Sequence, residues 1–389
     1  MRPEIETVEL QQLYSGDRLA LQAYKFRGQH AGPKAYIQAN LHGAEIVGNA
    51  VIFHLIEWLE TLDPSTLHGE IWLVPACNPM GANQRTHFFS TGRYDSYDGR
   101  DWNRIFWDYE KEATNLDAYV RARLRWPLER LRADYLEQVR TAFVRQQDTT
   151  RQASFVPFHQ LYRLRLQELC LDANYVIDIH SSSNHCLDYL YCFAGREDNA
   201  PWFGLELGLK MTEYDGQAFD EAFLKPWLAL ERALAQHGRA LQFDLEAWTL
   251  ELGCGMQVLP ASLQKGIRGI KNYLAAKNLL QLSELPSPAG KPTMHFFSRH
   301  QLRKYFAPTG GTIVERLPLG KPVAPGDRLY QLLAYDRTAG APRAIDIHTK
   351  QGGIVFDRAA NQAANQGEYV LSVIEEFDED SYSPSRPGS

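Results

Sequence analysis

The stretch Ala35-Tyr-Ile-Gln-Ala-Asn-Leu-His42-Gly-Ala-Glu45 decides how this chain is read. Its first seven residues read as a buried strand, and from Glu45 onward apolar residues recur at helical spacing through Leu62, so His42 and Glu45 fall on a turn at a strand's C-terminal end. Clefts in open α/β sheets form at that end. Far downstream, Asn174-Tyr-Val-Ile-Asp-Ile179 is a second strand-like run, and His180 follows it at the corresponding position. Two imidazoles and a carboxylate with one position left for water make the arrangement of a catalytic zinc, whereas a closed structural site would want four ligands, usually with cysteine. His-x-x-Glu by itself occurs often at helix starts, so the weight rests on what lies between and after the ligands.

Working outward, Leu19 to Tyr24 alternates as a strand, Lys34 to Leu41 is another, Val47 to Leu62 is a helix and Glu70 to Pro75 a third strand. Strands alternating with helices predict an α/β fold with a mixed, largely parallel sheet flanked by helices. From 115 to 144, apolar residues at Leu116, Val120, Leu124, Leu128, Leu131, Tyr135, Val139 and Phe143 mark a helical stripe, with a kink expected near Pro127. This region, an insertion over about 107–170, carries ten arginines and one lysine against nine acidic residues. Such interspersed charge reads as a solvated, salt-bridged face rather than a phosphate-binding surface, though its place leaves room for a lid or a dimer contact.

Between and beyond the ligands come Asn78-Pro79-Met-Gly81, Thr91-Gly-Arg93, Asp98-Gly-Arg-Asp101-Trp-Asn103-Arg104-Ile-Phe106 and Thr249-Leu-Glu251-Leu-Gly253. In this order the segments resemble the zinc-dependent succinylglutamate desuccinylase and aspartoacylase family, which is related to the zinc carboxypeptidases. The resemblance covers about 35–260. Trp102 stands where the family usually has Leu, Pro-Gly is missing after Asn-Arg-x-Phe, and the connection from Trp107 to Leu171 is longer than usual.

The resemblance implies one Zn²⁺ per chain on His42, Glu45 and His180, with Glu251 as general base. It further implies that Arg93 polarises the acyl carbonyl, while Asn103 and Arg104 grip a substrate carboxylate, with Arg85 competing for the second role. These residue types suit amide hydrolysis. The chemistry needs an activated water, a proton shuttle and positive charge facing the developing oxyanion, and arginine binds carboxylates bidentately without ever deprotonating. The apolar flanks of Glu251 favour a raised pKa. Asp178 alternates with His180 and can share its face, either as a partner of that ligand or as a buried structural carboxylate. His54 reads as a packed helix histidine, and His87 and His185 as loop residues nearer the cleft.

Composition sets the limits. The chain has 389 residues, 44% hydrophobic and 23% charged, which is ordinary globular material for a catalytic domain and a smaller companion. A net charge of −6 and a pI near 6.1 argue against nucleic acid, and the longest apolar runs are too short for a membrane span. The first residues lack the apolar core of a signal peptide, and five cysteines without framework spacing fit a reducing, cytoplasmic setting.

The expected division is a hydrolase domain over 1–285, a Pro/Gly-rich linker over 286–292, a β-rich domain over 293–377 and a disordered tail over 378–389. The β-rich part resembles the small barrel of biotinyl and lipoyl carriers, as in a comparable module of the desuccinylase family. Tyr335 to Pro342, where a carrier's hairpin tip would fall, has no lysine, and Lys350 precedes a later strand, so it reads as a structural cap or a homo-oligomer contact. The substrate is expected to be a small molecule or short peptide bearing a carboxylate. An N-acyl amino acid, a peptide cleaved in carboxypeptidase fashion and an inactive metal-bound binding protein are the three readings. Retention of Glu251 and Arg93 speaks against the last.

Overall fold

A computed structural model describes residues 1–87, 90–112, 115–153, 155–283, 285, 292–335, 337 and 340–377. The expected linker, apart from residue 292, and the expected tail lie outside them.

The chain begins with β1 (Glu4–Gln12), β2 (Arg18–Arg27), β3 (His30–Ala39), α1 (Val47–Thr61), β4 (His68–Val74) and the short α2 (Pro79–Asn83). Helices α3 (Leu116–Arg123), α4 (Leu128–Gln152) and α5 (Phe158–Cys170) follow, then β5 (Tyr175–Ser182), β6 (His185–Cys186), β7 (Tyr189–Phe193), β8 (Leu207–Met211), α6 (Phe219–Gln236), β9 (Glu246–Cys254) and α7 (Pro260–Ala276). The strands pair in the order β1-β2-β4-β3-β5-β9, with β4, β3, β5 and β9 parallel and β1 and β2 antiparallel at the edge. The mixed, largely parallel sheet flanked by helices is the fold the sequence predicts. Its central strands carry no alternation because both faces are covered: all but one of the eight residues of β5 are buried.

The 115–144 stripe forms two helices rather than one kinked helix. Pro127 sits at the N-cap of α4, where it has no N–H to lose and disfavours helical backbone at Trp126. Leu131, Tyr135, Val139 and Phe143 are the buried face of α4. That face packs on α6: the Tyr135 ring lies 5.2 Å from Trp227 and its hydroxyl donates to the Pro226 carbonyl at 3.1 Å. The insertion thus buttresses α6.

The remainder comprises β10 (His295–Ser298), β11 (Leu302–Phe306), β12 (Gly311–Val314), β13 (Pro322–Val323), β14 (Arg328–Ala334), β15 (Arg343–His348), β16 (Gly353–Arg358), β17 (Ala363–Ala364) and β18 (Tyr369–Glu375). Strands β15-β14-β12-β17 form a separate antiparallel sheet around Ile313, Leu329, Leu332 and their neighbours. The other strands extend the catalytic sheet, with β10 parallel to β8 and β16 antiparallel to β6.

Candidate metal centre

Three loops meet at the C-terminal ends of β3, β5 and β9. The first leaves β3 through Asn40, whose left-handed backbone (φ 68°) reverses the chain and whose amide donates to the carbonyls of His42 and Gly43, both at 3.1 Å. Asn78 fixes the same turn from outside, donating to the Leu41 carbonyl at 2.8 Å while its own carbonyl caps α2 through Gly81 N–H.

Glycines explain the motif spacing. A Cβ on Gly43 or Gly92 would run into the Gly81 carbonyl, so three segments close on one another with no side chain between them. Gly43 and Ala44 N–H groups then donate to the carbonyls of Gly92 (3.0 Å) and Thr91 (2.9 Å). This clamp delivers Arg93 to the turn bearing His42 and Glu45.

His42, Glu45 and His180 come together with their ligand atoms within 4.8 Å of one another, all three buried. Nδ1 of His42 is 2.9 Å from one Glu45 oxygen and Nδ1 of His180 is 2.7 Å from the other. Behind each ring stands a second carboxylate: Nε2 of His42 is 3.0 Å from Asp101, and Nε2 of His180 is 2.9 Å from Asp178. Burial opposes a charge on His42, but Glu45 and Asp101 outweigh it and raise its pKa; at His180, burial is outweighed in the same way by Asp178 and Glu45. Burial likewise opposes charge on Glu45, which the two rings hold well below the usual carboxylate range.

Every ring nitrogen thus faces a carboxylate, which leaves two solutions. Either both rings are imidazolium, or a cation sits between two neutral rings that donate Nε2–H to Asp101 and Asp178 and turn the Nδ1 lone pair inward. The second is the usual environment of metal-bound histidine. The donor set N, N, O with a cleft in front fits a divalent metal with an open position.

That cleft, of about 390 Å³, is lined by Arg93, Asn103, Arg104 and Glu251 in addition to the three ligand residues. Arg93 Nη1 is 3.2 Å from His42 Nδ1 and 3.4 Å from Glu45, and its Nε is 3.2 Å from Asp101. Glu251 is the register partner of His180 on the adjacent strand. Its buried Oε2 has no hydrogen-bond partner among the described residues, and burial raises its pKa to about 7 against the opposing pull of His180 and Arg93. Asn103 commits its carbonyl to the Phe219 N–H (2.8 Å), so its amide nitrogen alone can serve a ligand. Arg104 donates to the backbone carbonyl of Asn103 at 2.6 Å and has no ion pair among the described residues.

Arg85 does not join the cleft lining. It is exposed and its guanidinium donates to the carbonyls of Ala82 and Gln84 at the end of α2. His54 pairs with Glu57 on the exposed side of α1. Asp101 was the missed partner; it lies two residues before Asn103, in a segment whose order alone gave no sign that its carboxylate turns back to His42. Tyr189, Tyr191, Asp220, Glu221 and Arg299 also line the cleft, and none of the described residues of 107–170 does. Their positions follow from strand register and from the return of β10, neither of which local patterning reveals.

The model of the succinylglutamate desuccinylase/aspartoacylase catalytic domain family matches residues 31–144. Among solved structures, a succinylglutamate desuccinylase/aspartoacylase family protein of Shewanella amazonensis is 29% identical with a TM-score of 0.84, and covers 96% of this chain and 99% of its own. The resemblance to that family holds. A second desuccinylase/aspartoacylase structure, from Shewanella frigidimarina, is 26% identical with a TM-score of 0.84, covering 96% and 98%. The ectoine utilization protein EutE of Ruegeria pomeroyi, in product-bound form, shares the fold at 16% identity, with a TM-score of 0.66 and coverage of 96% and 95%. No curated protein matches the chain.

Proposed function

We propose that the protein is a zinc-dependent amide hydrolase that releases the acyl group of an N-acyl amino acid. The observation that carries this reading is the pair of imidazoles, each backed by its own carboxylate, converging with Glu45 beside a buried Glu251 oxygen that has no hydrogen-bond partner among the described residues. Zn²⁺ held by His42, Glu45 and His180 would lower the pKa of its water to about 7 and act as a Lewis acid toward the scissile carbonyl.

The chain's own groups supply the rest. Glu251 takes the proton of the attacking water and returns it to the leaving amine, work for which a carboxyl tuned upward is suited. Arg93, held between Glu45 and Asp101, faces the oxygen on which negative charge develops. Arg104 and the amide of Asn103 hold the substrate's free carboxylate. Asp101 and Asp178 keep both rings in the tautomer that presents Nδ1. All five cysteines are free and buried, which fits a reducing cytoplasm.

The test combines zinc analysis with hydrolysis of a panel of N-acyl amino acids and graded short peptides. Wild type is expected to turn over an acyl amino acid, and His42→Ala and His180→Ala each to lose one equivalent of zinc and all turnover. Failure of wild type to take up zinc sinks the reading, and cleavage of peptides alone replaces it with a carboxypeptidase-like one.

A further inference from the structure

A second group of potential ligands lies outside the cleft. Tyr94 and Asp101 pair as an antiparallel bridge, and between them the chain turns tightly: Asp95 N–H donates to the Arg100 carbonyl and Gly99 N–H to the Asp95 carbonyl, both at 2.8 Å. The turn presents Asp95 and Asp98 to the start of α5, where His159 is the second residue. One ligand atom from each of the three lies within 4.8 Å of the others.

A bland account is available, since carboxylates beside a helix N-terminus are stabilised by its dipole. It does not account for His159. This imidazole is only 5% exposed, and its Nδ1 is buried without a hydrogen-bond partner among the described residues, although Asp98 Oδ2 is just 3.2 Å away. A buried ring nitrogen left without a partner is destabilising, so the site is built to receive one. Imidazole nitrogen is a common ligand of divalent metals, and this one faces the two carboxylates. The same three residues line a cleft of about 320 Å³ between the turn and the segment leading into α5, and Asp98 is exposed on it, which gives an entry path.

We propose that Asp95, Asp98 and His159 form a second divalent-cation site, of the zinc or manganese class, that staples the 94–101 turn to α5. Two carboxylates and one imidazole suit these borderline ions. Asp95 keeps one oxygen for the Tyr97 N–H (3.0 Å) and has the other for the cation. Asp98 Oδ1 accepts the Arg100 N–H, and its Oδ2 accepts from Arg100 Nε, both at 3.0 Å. The Arg100 side chain is 58% exposed, so it can swing into solvent and yield that oxygen to the cation. The staple positions the catalytic loop, because the stems of the turn carry Arg93 on one side and Asp101 on the other.

Zinc content after equilibrium dialysis of the full chain tests this. Two equivalents are expected for wild type and one each for Asp98→Asn, His159→Ala and His42→Ala, with none for His42→Ala/His159→Ala. Asp98→Asn alters an exposed turn and keeps the test valid where His159→Ala misfolds, as judged by circular dichroism. Equal zinc in wild type and in folded Asp98→Asn or His159→Ala overturns the second site. Loss of an equivalent in those variants, but none in His42→Ala, overturns the catalytic reading and leaves this one standing.

Discussion

The two histidine–carboxylate groups differ in how much structure stands behind the ring. At the cleft each imidazole is pinned on both nitrogens, inward by Glu45 and outward by Asp101 or Asp178. At the 94–101 turn, His159 makes no hydrogen bond among the described residues, and its carboxylates answer first to their own turn. The difference teaches that preorganisation resides in the outer partners. Three ligand types at reach make a binding site, whereas fixed tautomers and orientations make one in which a water can be activated and a proton moved.

The comparison breaks at the largest scale if Glu251→Gln stays active. This variant is expected to keep its zinc while kcat falls by roughly 10²–10⁴-fold, as loss of a general base does, measured by turnover beside metal analysis. Next, Asp178→Asn removes the charge behind His180 but preserves the side chain's shape. Zinc affinity is expected to weaken about 10–100-fold, read by competition with a chelating dye. His159→Ala, with nothing behind its ring, is expected to leave the affinity of the catalytic site within a few-fold of wild type, and a tenfold loss there would erase the distinction between the two groups.

The smallest effect concerns the cleft wall. Burial, with Asp220 alongside, raises Glu221 from 4.5 to about 7. Between those values the folded protein keeps a proton that the unfolded chain has lost, so stability falls as pH rises through the window. Glu221→Gln is expected to match wild type near pH 4.5 and to exceed it by about 1 kcal/mol above pH 7, after allowing for solvent screening, as followed by thermal melts across that range.

Much of this was legible because the decisive contacts are written in local pattern. The apolar run before His42 and the helical spacing after Glu45 predict β3 and α1, and the run before His180 predicts β5. The glycines at 43, 81 and 92 look like scattered small residues in the sequence, and only their mutual overlap shows why the motif elements need them. Arg85 illustrates the limit. In the sequence it competes for the substrate-gripping role, whereas the chain leaves α2 in extended backbone and turns the guanidinium back onto helix carbonyls. The apolar stripe over 115–144 has the right period, yet Pro127 divides it into two helices. Arg299 could not be placed because β10 re-enters the catalytic sheet beside β8 through a long-range pairing without local signature.

The contact between β6 and β16 carries a consequence for biogenesis. Immediately after His180, Ser182 and Asn184 donate to Asp357 at 2.9 and 3.2 Å, and Tyr369 donates to the same carboxylate. The rim of the metal centre is therefore finished by residues some 175 positions further along the chain. A ribosome delivers His42, Glu45 and His180 early, but the loop that follows His180 has its buried partner only when the last strands emerge. During synthesis these three side chains wait on an incomplete wall, and a nascent chain arrested before β16 would carry them without the finished rim of the cleft.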